Sequence, residues 1–158
     1  MENASWRIAF TELCEEVFRE LGFDSPPMLH DNNLPLAMEI HVDSRDFELI
    51  HSSTDRPHQI LILCKLDQLN EELSRDDYAE MLLGNLNNIR LAQPYFGITA
   101  DEQELVWVSS EALSGMRASH LLEKLREIAQ SATTWRTAIQ DNKHADDLTT
   151  DVQGVMLA

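Results

Sequence analysis

The residues best suited to chemistry in this chain of 158 residues are His30, His41, His51 and His58, with Asp31 and Asp43 close to two of them. Imidazoles and carboxylates together can hold a divalent cation or relay a proton. His41 and Asp43, two apart on a strand-like stretch, would share one face, and His51 could approach across a hairpin. A working centre needs more than this. The sequence has no helical histidine pair with an intervening glutamate, no clustered cysteines and no glycine-rich phosphate loop. Ser109, Ser110, Cys14 and Cys64 are conceivable nucleophiles, but none lies in a nucleophile elbow or another activating motif. The histidines therefore read as surface or loop residues, and the chain as one without catalytic residues, cofactor or metal. A metal-dependent enzyme using His41, Asp43, His51 or His58 stands as an alternative that elemental analysis would decide.

Composition narrows the partners. Asp and Glu number 28 against 12 Lys and Arg, a formal charge of -16, so nucleic acid and anionic membrane surfaces would repel the chain. An apolar fraction of 43% is ordinary for a globular domain, and a chain of this length can bury roughly 70% of its unfolded surface in one core. Cys14 and Cys64 lie far apart inside apolar patterns, which fits small buried residues of a reduced protein. "MENASWRIAF" lacks the basic start and long apolar stretch of a secretory signal, and no run approaches the ~20 apolar residues of a membrane span. Neither general export nor membrane insertion is expected.

The elements follow from periodicity. Trp6, Phe10, Leu13, Val17 and Leu21 recur at helical spacing, with Gly22 as a C-terminal cap and "DSPPM" enforcing an extended connection. "LPLAMEIHVD", the turn "DSRD" and "FELIHS" alternate as a hairpin, and "QILILCKL" is a strand apolar on both faces. "SRDDYAEMLLGNLNNIRLA" returns to helical spacing with Tyr78, Leu82, Leu86 and Ile89 on one stripe. "YFGIT", the turn "ADEQ" and "ELVWVSS" form a second hairpin, and a last helix runs from about Leu113 to Gln140. The predicted architecture is α+β, an antiparallel sheet with helices packed on it, in the order α-β-β-β-α-β-β-α. Residues 1–141 read as a single domain and residues 142–158 as an acidic, flexible tail.

Apolar surface exceeds obvious internal need. If the first helix covers one sheet face, Leu61 and Leu63 on one side of "QILILCKL", or Ile60 and Ile62 on the other, need further cover, either from the chain's own helices or from a second copy or a bound apolar segment. "ELVWVSSEAL" raises the same issue, since Leu105 and Trp107 alternate with Val106 and Val108.

From Trp6 to Asp141 this pattern resembles the class I chaperones of type III secretion, the Tir chaperone or CesT-like family. The resemblance is carried by "FTELCEEVFRELG", "LAMEIHV", "FELIHS", "MLLGNLN" before "YFGIT", and "ELVWVSSEALSG" leading to a helix containing "TTWRTAI". The loop "DSPPMLHDNNLP" is longer and more polar than the family pattern, and the acidic tail is an addition. What the resemblance implies is a homodimer in the bacterial cytoplasm that hydrolyses no nucleotide. It would keep the N-terminal segment of a secreted effector extended and present it to the secretion apparatus. It further implies a dimer interface from the second helix and second hairpin, including Leu82, Gly84, Leu86 and Trp107. The effector-binding grooves would come from the first helix and first three strands, including Phe10, Val17, Ile40, Leu49 and Leu61. The alternative is a related α+β adaptor or immunity-type protein that binds a folded partner.

Overall fold

The alternation in "LAMEIHV" is realised as β1 (Leu36–Val42), whose residues are buried and exposed in strict turn. The computed structural model describes residues 3–27, 34–68, 73–90, 94–99 and 104–155. β1 pairs antiparallel with β2 (Arg45–His51) through a two-residue turn in which Asp43 and Ser44 both have positive φ, 48° and 62°. That left-handed pair matches the twist of the flanking strands, and it is tighter than the four-residue turn expected from "DSRD".

β3 (Gln59–Gln68) pairs with β2 and with β5 (Glu104–Ala112), and the short β4 (Tyr95–Ile98) closes the sheet on β5. All pairs are antiparallel and the spatial order is β1-β2-β3-β5-β4. The described residues also form three helices: α1 (Asn3–Glu20), α2 (Arg75–Arg90) and α3 (Ala118–Val155). The architecture is the expected α-β-β-β-α-β-β-α.

Helix ends follow local chemistry. α1 stops at Gly22, whose φ of 80° lets its N–H reach Arg19 O while Phe23 N–H reaches Phe18 O, a Schellman cap. α2 starts in a reciprocal capping box: Ser74 Oγ accepts from Asp77 N–H at 3.2 Å and Asp77 Oδ2 accepts from Ser74 N–H at 2.6 Å. α3 begins later than its apolar pattern suggests, because β5 runs on to Ala112 and the chain then turns through Gly115 at φ 73°. At its other end α3 continues as helix to Val155, through much of the segment read from sequence as a tail.

Cross-strand partners share a face, so register assigns each side chain to one side of the sheet. Met38, Leu49 and Ile62 form one inner row, and Ile40, Phe47 and Cys64 the next. Against them pack Phe10, Leu13, Cys14 and Val17 of α1 and Leu121, Leu125, Ile128 and Ala132 of α3, in one contiguous core. The inner pair of β3 is thus Ile60 and Ile62, while Leu61 and Leu63 face outward and are half-buried.

Candidate interaction surfaces

The residues singled out for chemistry are dispersed by the fold. His41 Nδ1 meets Asp46 Oδ1 at 2.7 Å on an exposed hairpin, Asp43 sits in the turn beyond, and His58 is exposed on the loop before β3. His30 and Asp31 lie outside the described residues. His51, read from sequence as a surface or loop residue, is fully buried, because alternation in β2 turns it to the inner face opposite Leu36. Among the described residues no three of His, Cys, Asp and Glu converge. Burial pushes the Cys14 and Cys64 thiols up to about 12, so neither offers a thiolate near neutral pH.

Helix α2 is amphipathic in a way the sequence stripe did not separate. Met81 is buried and Tyr78 packs partly on the core, whereas Leu82, Leu83 and Leu86 are 66%, 63% and 64% exposed. Leu86 lies four residues after Leu82 and three after Leu83, so the three side chains share one outer side. Ile98 at the end of β4 is also exposed. A β-carbon built on Gly84 would meet nothing within 4 Å inside the protomer, so the room it leaves opens outward. Of the residues the resemblance assigns to the dimer interface, Leu82 and Leu86 are exposed on one side of α2, and Gly84, two residues from each, lies on another side of the helix with open space beside it. Leu83 and Ile98 share the exposed apolar character without having been assigned. Their signals were the unbroken "MLL" and the alternation of "YFGI".

Trp107 is placed differently. Its ring stacks on Phe96 with centroids 5.4 Å apart, and Phe96 in turn meets Trp135 of α3 at 4.9 Å. The indole is thus packed within its own protomer, on the helix side of the sheet. Val106 and Val108 occupy the opposite face, close under Gly97, where an added β-carbon would come within 3.1 Å of Val108 Cγ2.

Polar side chains tie α2 to the sheet edge. Asn85 Nδ2 donates to Phe96 O at 2.9 Å and its Oδ1 accepts from Phe96 N–H at 2.7 Å, so one amide satisfies both backbone groups of an edge residue. Asn88 Nδ2 donates to Pro94 O at 2.8 Å. The β4 edge is closed by these contacts at Pro94 and Phe96.

Of the residues the resemblance assigns to effector grooves, Phe10, Val17 and Leu49 have no exposed surface and Ile40 almost none. They fill the space between α1 and the sheet, whereas Leu61 reaches the outer face. There it stands in the row Ala37–Ile50–Leu61–Ser110, next to the row Glu39–Glu48–Leu63–Val108–Tyr95. Lys65 on the same face has its Nζ 3.8 Å from Glu39 Oε1 and 3.4 Å from Glu104 Oε2.

No protein-family model matches the chain, and no curated protein matches it. Solved structures do. A chain of the ExsC–ExsE complex superposes with a TM-score of 0.67 at 13% identity, covering 88% of this chain and 97% of that one. The HopA1–SchA chaperone–effector complex gives 0.56 at 18% identity, covering 82% and 94%. The Yersinia pestis type III secretion chaperone SycH, in complex with a stable fragment of YscM2, gives 0.53 at 16%, covering 79% and 98%. An uncharacterized protein from Methanothermobacter thermautotrophicus also superposes, at 0.58 and 15% identity, covering 84% and 97%. At such identities the shared property is the fold, and this chain has the fold of class I type III secretion chaperones.

Proposed function

We propose that this protein is a type III secretion chaperone that acts as a homodimer in the bacterial cytoplasm. It binds the N-terminal region of a secreted effector in extended form and keeps it soluble and competent for secretion. The observation that carries this reading is the fold, shared over four-fifths or so of the chain with a chaperone–effector complex and with a secretion chaperone holding a fragment. Its role is binding, not catalysis.

Two surfaces support the reading physically. The exposed Leu82, Leu83 and Leu86 on one side of α2 form an apolar area of the kind that protein partners cover, and a second copy is the proposed occupant. The outer sheet face offers half-buried Ile50, Leu61 and Leu63 as anchors for an extended chain. Phe10, Val17, Ile40 and Leu49 serve it from beneath, by fixing the sheet on α1, and Trp107 supports the dimer side through Phe96. High negative charge limits non-specific aggregation of a protein with such patches and favours basic segments in its partner.

Co-expression with an effector candidate encoded beside this chain tests the proposal. The expected product is a soluble complex of two chaperone chains to one effector, retained when the effector is reduced to its N-terminal segment. Binding that requires a folded effector domain and is not reproduced by that segment would overturn it in favour of an adaptor.

A further inference from the structure

We propose that His51 is a proton-operated latch. While its imidazole is neutral it holds the loop of residues 52–58 against the sheet, and once the ring takes up a second proton it releases that loop with the strands still paired. The device concerns the fold alone and does not rest on the proposed function.

The loop hangs on few attachments. Pairing of β2 with β3 ends at Ile50 and Leu61, so residues 52–58 cross the mouth of the hairpin beyond the ladder. Two carbonyls tie them to neighbouring segments: Pro57 O accepts from His51 Nε2–H at 2.8 Å, and His58 O accepts from Leu113 N–H at 2.8 Å. Other bonds stay within the loop and its junction with β3, from Asp55 N–H to Ser52 Oγ and from Gln59 N–H to Arg56 O. Arg56 has φ 52°, a left-handed conformation that a residue with a side chain rarely adopts, so the closed loop is held against its own backbone preference.

The imidazole is the attachment that can change. It is fully buried at the end of β2, opposite Leu36 of β1 and stacked on Phe10 of α1. A second proton must enter at Nδ1, which is buried and has no hydrogen-bond partner among the described residues. The N–H and the positive charge created there would be unsatisfied and desolvated together. Phe10 offers its ring face, whereas the new N–H lies in the plane of the imidazole and finds no acceptor.

The charged groups around the ring give no relief. Burial lowers the His51 pKa, and Arg7 of α1, which has the sign of the imidazolium, acts in the same direction against the Pro57 bond. In the sheet row beyond Ile60, Glu111 of β5 is engaged by Lys124 of α3 at 3.3 Å. Asp55, Arg56 and His58 of the loop are exposed. A protonated ring is therefore accommodated in water, and because His51 is the last residue of β2, displacing the adjoining loop is the shortest way there. α1 keeps its place through Leu13, Cys14 and Val17 in the core, so the opening is local.

Amide exchange of the full chain, corrected for intrinsic rates, tests the latch from about pH 7.5 to about pH 5. The reporters are Gln59 and Leu113, whose N–H groups bond to Arg56 O and His58 O. Below about pH 6.5 their protection should fall by up to roughly tenfold per pH unit, without dependence on sub-denaturing urea, while Leu49 and Ile62 stay far better protected. His51→Gln keeps a donor for Pro57 O without a titrating ring and should abolish the pH dependence, whereas His58→Gln should leave it intact. In the native chain the His51 imidazole and the Gln59 and Leu113 amide resonances should titrate with one midpoint, a readout that needs no variant to fold. Protection independent of pH, the same pH dependence in His51→Gln, urea dependence equal to that of Leu49 and Ile62, or an imidazole that titrates without change at either amide would each overturn the proposal.

Discussion

The imidazole of His51 stacks on the ring of Phe10, with centroids 5.4 Å and planes 21° apart, in the middle of the contact between α1 and the sheet. Nε2 donates to Pro57 O at 2.8 Å, which fixes the neutral tautomer, and Nδ1 is buried without a hydrogen bond. A second proton would have to enter on that buried nitrogen.

Stability should therefore depend on pH through this residue. Burial lowers its pKa, and the charge of Arg7 acts in the same direction while the Pro57 bond opposes them. The unfolded chain takes up a proton near pH ~6.5 and the folded chain only at lower pH, so the unfolded state binds more protons between the two values. The contribution is complete above about pH 6.5 and is lost as pH falls toward the folded value. Urea midpoints measured from about pH 7.5 down to 5.5 should fall, and fall less in His51→Gln. Identical slopes in the two proteins would reject this assignment.

Leu86→Asp should leave the protomer folded, because a side chain 64% exposed contributes little to its stability, within about 0.5 kcal/mol. If the α2 patch meets a second copy, the same change places charge in an apolar interface and produces monomer. Light scattering with circular dichroism reads both; a dimer that persists would move the interface elsewhere.

Asn85→Ala removes both hydrogen bonds to Phe96 and leaves partly buried backbone groups unsatisfied. A loss of about 1–3 kcal/mol is expected in chemical denaturation. Amide exchange at Phe96 should rise with it, showing that the closed edge has been opened.

Phe10→Ala and Leu61→Asp should separate scaffold from surface. The first empties a fully buried site and should cost about 3–5 kcal/mol. The second alters a half-buried outer residue and should reduce effector capture while the fold persists. Equal loss of stability in both would show that Leu61 is core.

Removing residues 142–158 should leave a cooperative domain with unchanged near-ultraviolet dichroism, since the core contacts of α3 end at Trp135 among the described residues. A large fall in melting temperature would show that the helical extension supports the domain.

Several relationships were legible in the sequence because they are local. The strict alternation of Leu36–Val42, the glycine after α1 and the acidic start of α2 are dictated by neighbours a few residues away, and each appears in the structure. The candidate surfaces were harder. Periodicity grouped Tyr78 with Leu82 and Leu86, yet one packs on the core and the others face outward, because a wide stripe can be split by where the sheet edge meets it. His51 escaped for a related reason: its type suggested a surface while its strand position specified the interior.

By itself the sequence determined the order of elements, the absence of a local catalytic motif and the resemblance to a secretion chaperone, all of which rest on residue type and short-range spacing. Tertiary structure alone decided that Phe10, Val17, Ile40 and Leu49 lie beneath a surface, that Trp107 packs on Phe96, and that Glu39 faces Glu48 across the β1–β2 pair. The reason is that a strand's pattern gives it two faces, but only pairing and packing across distant segments determine which face is covered and which edge is left unpaired.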